Sequence, residues 1–149
     1  MQLNQLYKQA ILEHNRTPQN YYLMADSSHT ALGNNALCGD EIRVFLDVND
    51  DGFIERASFQ GEACAIAIAT ASLMTTWLQG RHVIAAQAGA AAFENMLRGG
   101  DIDHALLGEN TLLETVKHYP ARIPSAQLGW QAMCAALNGV AEISTEDAV

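Results

Sequence analysis

A long stretch without charged residues, from Ala63 to Gly80, constrains the fold more than any other part of the chain. Its body, "CAIAIATASLMTTWLQ", is rich in alanine and lacks glycine and proline, which favours an α-helix. Apolar residues fall on every side of that helix, so other elements must surround it. The stretch is shorter than the roughly 20 strongly apolar residues of a membrane span, and it carries threonine, serine and glutamine. We therefore predict a central buried helix that ends at Gly80.

The residues before this helix have the pattern of β-structure. Every second residue from Ile42 to Val48 is aliphatic, which predicts a half-buried strand. The turn signal "NDDG" follows, and "FIERASFQ" then predicts a returning strand. Because a lone hairpin is unstable, it needs a third strand or a helical layer.

The remaining segments predict further helices. "NQLYKQAILEHNR" is typical of a short amphipathic helix that stops before Pro18. "HVIAAQAGAAAFENMLRGG" predicts another helix, and "DIDHALLGENTLLETVKHY" one or two short helical turns. A last helix is predicted from near Ser125, as its cap, to about Leu137. Residues 17–37 look irregular.

Strands and helices that are segregated along the chain favour an α+β fold. We expect a small antiparallel sheet, made of the hairpin and a short strand, packed against several helices. The 149 residues suit a single domain spanning 1–149, with a frayed tail from about residue 143.

The charge balance excludes one class of partner. Eight basic residues stand against seventeen acidic ones, a net charge of −9, which argues against nucleic-acid binding. The opening "MQLNQLYKQA" lacks a basic start followed by an apolar block, so we expect no secretion signal, no membrane and a reducing cytoplasmic location. Three cysteines in such a protein indicate thiol or metal chemistry, or plain burial, rather than a disulfide framework.

Cys38 and Asp40 form the most specific local pattern. In "NNALCGDEI" they flank Gly39 just before the first strand, and an extended backbone lets both side chains lean to one side. A thiolate and a carboxylate placed in this way are half of a metal site. The alternative is a buried small cysteine beside a turn aspartate.

The other two cysteines differ in setting. Cys64 opens the buried helix, where the helix dipole favours a thiolate ligand or nucleophile, although a core cysteine is an even alternative. Cys134 lies within "WQAMCAAL" and is interpreted as a packing residue. It follows Ser125 by about 13 Å along a helix axis, so the two positions are not interchangeable.

The five histidines show no zinc spacing. His29 lies in the segment before Cys38, from which it could reach that thiol, and His118 precedes the last helix. For both, an ordinary surface histidine is the alternative interpretation.

With these residues identified, the sequence resembles the SufU/IscU family of iron–sulfur cluster assembly proteins, and within it the SufU branch. Four stretches carry the resemblance, which spans nearly the whole chain: "LYKQAILEHNRTPQN", "NNALCGD", "FQGEACAIAIATASLM" and "YPARIPSAQLGW". The first contains the family pattern His14, Pro18 and Asn20. The last matches a stretch in which the family has its third cysteine, and here that position is Ser125. Arg122 in that stretch resembles the SufU branch and is expected to face a partner.

The resemblance implies an α+β fold and a site that binds zinc or a 2Fe–2S cluster. It makes Cys38, Asp40 and Cys64 the metal ligands, with Cys38 also the acceptor of persulfide sulfur from a cysteine desulfurase. Ser125 is then a weak fourth position, because a serine hydroxyl stays protonated where cysteine ionises. Two thiolates and one carboxylate leave room for water, His29, His118 or a partner's side chain, and we expect weakly held metal.

The resemblance implies a role in iron–sulfur cluster biogenesis, as a cluster scaffold or a metal-dependent sulfur acceptor rather than a classical enzyme. Its expected partners are a SufS/IscS-like desulfurase and iron–sulfur acceptor or carrier proteins. One alternative is a non-catalytic adaptor or regulator of that machinery with weak or no metal binding. The other is an independent thiol enzyme that uses Cys38 or Cys64 with Asp40, although no histidine base is evident in the sequence.

Overall fold

The computed structural model describes residues 3–145. Three consecutive strands follow the first helix, and the other helices come after them, before a short last strand. In chain order they are α1 (Leu3–Arg16), β1 (His29–Asn35), β2 (Asp40–Val48), β3 (Ile54–Glu62), α2 (Ala65–Leu78), α3 (Val83–Leu97), α4 (His104–Leu107), the 3-10 helices Gly108–His118 and Pro120–Arg122, α5 (Ile123–Leu137) and β4 (Glu142–Ser144). The predicted α+β class is confirmed. Within residues 3–145, none of the helices has the length and apolar character to cross a bilayer.

The four strands form one sheet in the order β3-β2-β1-β4. The predicted hairpin is confirmed, because β2 and β3 pair antiparallel from Glu41 opposite Glu62 to Val48 opposite Ile54. β1 pairs antiparallel with the other edge of β2. The sheet therefore has the additional strand that the hairpin requires for stability.

β1 lies in the segment that was predicted to be irregular, so that prediction is wrong for residues 29–35. The residues of β1 that face the interior are Ala31, Gly33 and Asn35, which are too small or too polar to show an apolar alternation. They are small because α5 packs close to the strand. A Cβ atom on Gly33 would lie 3.0 Å from Cδ1 of Leu128.

The predicted fraying from about residue 143 is wrong for the first residues of that segment. β4 pairs parallel with β1, Gly33 lies opposite Ile143, and Asn34 lies opposite Ser144. The N–H of Thr145 also donates to the Asn34 carbonyl at 3.0 Å. Residues 146–149 lie outside the described part of the chain.

The predicted buried helix is confirmed as α2, which packs against α1, α5 and β3. Polar side chains on it are buried along with the apolar ones, including Thr70, Ser72 and Thr75, which are fully inaccessible to solvent. The helix ends at Leu78, and Gly80 follows with a φ of +86°, a conformation that glycine adopts without strain.

α1 is anchored to α2 through the hydroxyl of Ser72. That oxygen accepts the N–H of Gln19 at 2.7 Å and lies 2.6 Å from Nδ1 of His14. The side chain of Asn15 donates to the carbonyl of Ala65 at 2.7 Å. These bonds fix α1 beside the start of α2, where Cys64 lies.

We expect His14→Gln to lower the free energy of unfolding by about 1 kcal/mol at pH 7.5, through loss of the Ser72 contact. Burial lowers the pKa of His14, against a smaller opposite effect of Glu109 and Glu13. Below the ordinary histidine pKa of about 6.5, the unfolded chain therefore binds more protons at this residue than the folded one. The stabilisation due to His14 is thus present above that pH and is lost as the pH falls through the lowered folded value.

The measurement is urea unfolding of both proteins between pH 7.5 and pH 5. The gap between wild type and His14→Gln should shrink as the pH falls, and a gap that widens would contradict the assignment. His104→Gln, which removes an exposed histidine from α4, is the matched control.

Candidate functional site

The site is built around the carboxylate of Asp40, the first residue of β2, which is 2% exposed. One oxygen, Oδ1, accepts the backbone N–H of Cys64 at 2.7 Å. The other, Oδ2, accepts the hydroxyl of Ser125 at 2.8 Å. A buried carboxylate is tolerated only with such donors, so Asp40 holds the start of α2 and the start of α5 against β2.

Asn35 extends this network towards the C-terminal strand. It is the last residue of β1, pairs with Asp40 across the sheet, and is 1% exposed. Its amide nitrogen lies 3.4 Å from both Asp40 Oδ2 and Ser125 Oγ. Its amide oxygen accepts the hydroxyl of Thr145 at 3.3 Å, so the end of β4 is tied to the same cluster.

Cys64 lies next to Asp40, as a shared metal site requires. It is half-buried, directly precedes α2, and has an extended backbone. Its sulfur lies 3.8 Å from Asp40 Oδ2. Two ligands of a tetrahedral zinc ion, one sulfur and one oxygen, lie about 3.6 Å apart by ordinary bond lengths. The two side chains are therefore spaced as two ligands of one ion.

Cys38 is placed differently from Asp40 and Cys64. It is exposed, in the turn at residues 36–39 that joins β1 to β2, beside Gly39 with a φ of +70°. Its backbone N–H donates to the Asn35 carbonyl at 3.3 Å. Across residues 3–145, no three side chains of His, Cys, Asp or Glu are grouped closely enough to hold a metal ion. The ligand set of Cys38, Asp40 and Cys64 stays a prediction, with two members adjacent and the third on a neighbouring exposed turn.

Ser125 points into the site. It is fully buried in the first turn of α5, which begins at Ile123. The predicted role of Ser125 as a helix cap is wrong, because Arg122 occupies that position and the Ser125 hydroxyl donates to Asp40 instead. The Ser125 side chain thus satisfies the carboxylate directly.

Three further predicted residues lie outside the cluster around Asp40. Arg122 is exposed directly before α5, the helix whose first turn carries Ser125. Arg122 is therefore at the edge of the cluster. His29 pairs with Leu46 at the other end of β1, about 20 Å along the strand from Asn35. His29 is therefore out of reach of Cys38. His118 is exposed at the end of its 3-10 helix.

Asn35 and Thr145 are the site residues that the sequence reasoning missed. Asn35 stands in the quoted box "NNALCGD", but its role depends on β1, whose small inward residues concealed the strand. Thr145 lies in the segment that was expected to fray, and it carried no signal of its own.

Comparison with known proteins places this fold among relatives. The NifU-like N terminal domain family matches residues 6–139. The zinc-dependent sulfurtransferase SufU of Bacillus subtilis is 36% identical over 132 residues, which cover 88% of each chain. The iron–sulfur cluster assembly scaffold protein IscU of Thermotoga maritima is 33% identical over 140 residues, covering 94% of this chain and 98% of IscU.

Solved structures give the same result. The crystal structure of FiSufU from Fervidobacterium islandicum AW-1, described as an iron–sulfur cluster assembly scaffold protein for the SUF system, superposes with a TM-score of 0.82. The two chains are 26% identical, and the match covers 86% of this chain and 93% of FiSufU. With an extended family match and relatives that are similar over nearly their whole length, the chain belongs to the NifU-like N-terminal domain family.

Proposed function

We propose that this protein acts in iron–sulfur cluster biogenesis, where Cys38 accepts sulfur from a cysteine desulfurase. The observation that supports this role is the exposed thiol of Cys38 on a turn that directly precedes the buried Asp40. An exposed thiol is open to a partner's active site, whereas Cys64 is half-buried and Cys134 packs against the core. The names of the relatives, a sulfurtransferase and a scaffold, support the same pathway.

The sulfur-transfer step needs no net oxidant. The Cys38 thiol loses its proton to solvent, and the thiolate attacks the outer sulfur of the desulfurase persulfide. The new bond joins Cys38 Sγ to that sulfur, the persulfide bond of the desulfurase breaks, and the desulfurase cysteine leaves as a thiolate. Cys38 then carries the persulfide, which acceptor or carrier proteins of the pathway receive. Free thiols on all three cysteines are compatible with the reducing cytoplasm that we propose as the location.

We further propose zinc, or a nascent 2Fe–2S cluster as cargo, at Asp40 and Cys64. The sulfur–oxygen distance of 3.8 Å between them supports this assignment, and Cys38 would be the third ligand. When bound, zinc supplies positive charge that keeps ligand thiols deprotonated. Ser125 contributes a neutral hydroxyl at the fourth position, so this chain should hold metal more weakly than a three-cysteine relative.

The Ser125–Asp40 hydrogen bond favours a second candidate, a metal-free adaptor or regulator of the assembly machinery. Both oxygens of Asp40 have donors without any metal: the Cys64 N–H, the Ser125 hydroxyl and, more weakly, the Asn35 amide. Because the buried carboxylate is satisfied by the protein itself, the fold does not require an ion at this position. Metal analysis of the purified protein separates the candidates: near-stoichiometric zinc or iron supports the first, and a folded metal-free protein the second.

Incubation with a SufS-type cysteine desulfurase and cysteine should add one sulfur atom to Cys38. The adduct should be absent from Cys38→Ser and retained in Cys134→Ser, because Cys134 is partly buried in α5. Peptide mass spectrometry after rapid alkylation locates the sulfur. Sulfur found on other cysteines while Cys38 remains unmodified would refute the acceptor role.

Ser125→Cys should tighten zinc binding by about tenfold, equivalent to about 1.4 kcal/mol, because a thiolate replaces a hydroxyl beside Asp40. Competition with a chromophoric zinc chelator at pH 7.5 measures the change. Ala88→Cys, which adds a thiol on the exposed side of α3, is the control for an extra cysteine outside the site. An affinity that is unchanged in Ser125→Cys, or raised equally in the control, would contradict a metal site at Asp40.

A further inference from the structure

The outer face of the sheet carries an open groove. α2 and α5 pack against the other face, on which Ile42 and Val44 of β2 are fully buried. The groove has a volume of about 540 Å³ and is lined by β1, β2, β3 and the segment that precedes β1. The lining residues that matter here are Tyr21, Leu23, Leu32, Glu41, Arg43 and Glu62.

The strand register places the charged side chains of the groove on this outer face. Glu41 lies opposite Glu62, and in the next row Arg43 lies opposite Leu32 of β1. Alternate residues of a strand share one face, so Glu41 and Arg43 point away from the buried Ile42 between them. Glu41 and Glu62 are exposed, and Arg43 and Leu32 are half-buried. All four side chains are therefore accessible to a partner in the groove.

The two carboxylates form an unfavourable pair. Like charges directly opposite each other on neighbouring strands repel and lower the stability of a sheet. None of the ion pairs among residues 3–145 includes Glu41, Glu62 or Arg43. Within that part of the chain, the repulsion is therefore not relieved by an ion pair. An arrangement that costs stability without helping the fold indicates a use in binding.

Exposed apolar side chains lie beside the carboxylates. Leu23 is 62% exposed and Tyr21 is 42% exposed. Tyr21 is held in place next to Glu62, because its hydroxyl donates to the Gly61 carbonyl at 2.8 Å and accepts the Gly61 N–H at 3.1 Å. A fixed aromatic ring and a leucine of this kind are the side chains that protein partners cover with their own apolar residues.

The charge of the groove selects the class of partner. Two carboxylates at one end, on a chain with a net charge of −9, attract a basic segment and repel an acidic one. The same charges disfavour nucleic acid and anionic lipid, whose phosphates need basic surfaces. Arg43 repels a cation from the middle of the groove, so a basic side chain belongs at the row of Glu41 and Glu62.

We propose that this groove docks a partner protein through a segment in which a lysine or arginine is flanked by large apolar side chains. The basic group lies between the carboxylates of Glu41 and Glu62, and an apolar side chain covers Leu23 and Tyr21. Glu41 directly follows Asp40 in β2, so a partner bound here lies close to the buried cluster. The docking needs no thiol and is therefore independent of the acceptor role of Cys38.

Three fluorescein-labelled hexapeptides test this docking: one alternates lysine and leucine, one glutamate and leucine, and one lysine and serine. We expect the lysine–leucine peptide to bind at least about tenfold tighter than either of the others, because it alone supplies both the charge and the apolar side chains. Fluorescence anisotropy at low salt measures the affinities. Equal binding of the lysine–serine peptide, or no binding of the lysine–leucine peptide, would overturn the proposal.

A charge reversal locates the peptide. Glu62→Lys should weaken binding of the lysine–leucine peptide by about tenfold and improve binding of the glutamate–leucine peptide, a gain that an unfolded protein would not show. Glu55→Lys makes the same change in charge at the other end of β3, outside the groove, and should alter either affinity by less than about twofold. Equal losses in the two variants would mean attraction to the net charge alone and would refute the docking site.

Variants of leucine and cysteine complete the test. Leu23→Ser should weaken binding of the lysine–leucine peptide by about fivefold, through loss of apolar contact. Leu12→Ser, which removes a 64% exposed leucine from α1, is the matched control and should leave binding unchanged. Cys38→Ser should bind the peptide like the wild type, so the docking site and the sulfur-acceptor role are tested separately. Binding that is insensitive to Leu23→Ser, or that is lost in Cys38→Ser, would place the peptide elsewhere and contradict the proposal.

Discussion

The buried carboxylate of Asp40 is the constraint on which the site depends. A negative charge that is 2% exposed must receive hydrogen bonds from several directions, and each donor comes from a different part of the chain. The N–H of Cys64 fixes the entry to α2, and the hydroxyl of Ser125 fixes the first turn of α5. The amide of Asn35 adds the end of β1. The hydrogen bonds that stabilise this buried charge therefore come from three places: the start of α2, the first turn of α5 and the end of β1.

This arrangement shows how Ser125 holds the start of α5 against the sheet through a hydrogen bond alone. The Ser125 hydroxyl donates a hydrogen bond to Asp40 Oδ2 at 2.8 Å. The buried carboxylate is therefore satisfied by a neutral group of the chain itself. The exposed thiol of Cys38 stands outside this network of side-chain hydrogen bonds.

The sequence predicted the parts whose side chains carry a strong pattern. The hairpin of β2 and β3 and the buried helix α2 follow from alternating and continuous apolar residues, and the adjacency of Asp40 and Cys64 follows from the family box. The errors share one physical cause. The inward residues of β1 are alanine, glycine and asparagine, so the sequence has no apolar alternation that would predict this strand. Without β1, His29 could be placed near Cys38, and the segment of β4 had no partner strand and was expected to fray. The direction of the Ser125 side chain is a tertiary property that no local pattern encodes.

Gly33 shows how a residue without a side chain can govern the chemistry of others. The side chains of Leu128 and Ala132 in α5 pack so close to the backbone of β1 there that little space remains for a side chain. A Cβ atom at this point would lie 3.0 Å from Cδ1 of Leu128 and 3.2 Å from Cβ of Ala132, so these neighbours would have to move by a few tenths of an ångström. Because Ser125 lies in the first turn of the same helix, the close seating of α5 on β1 and the hydrogen bond from Ser125 to Asp40 are two contacts of one rigid element.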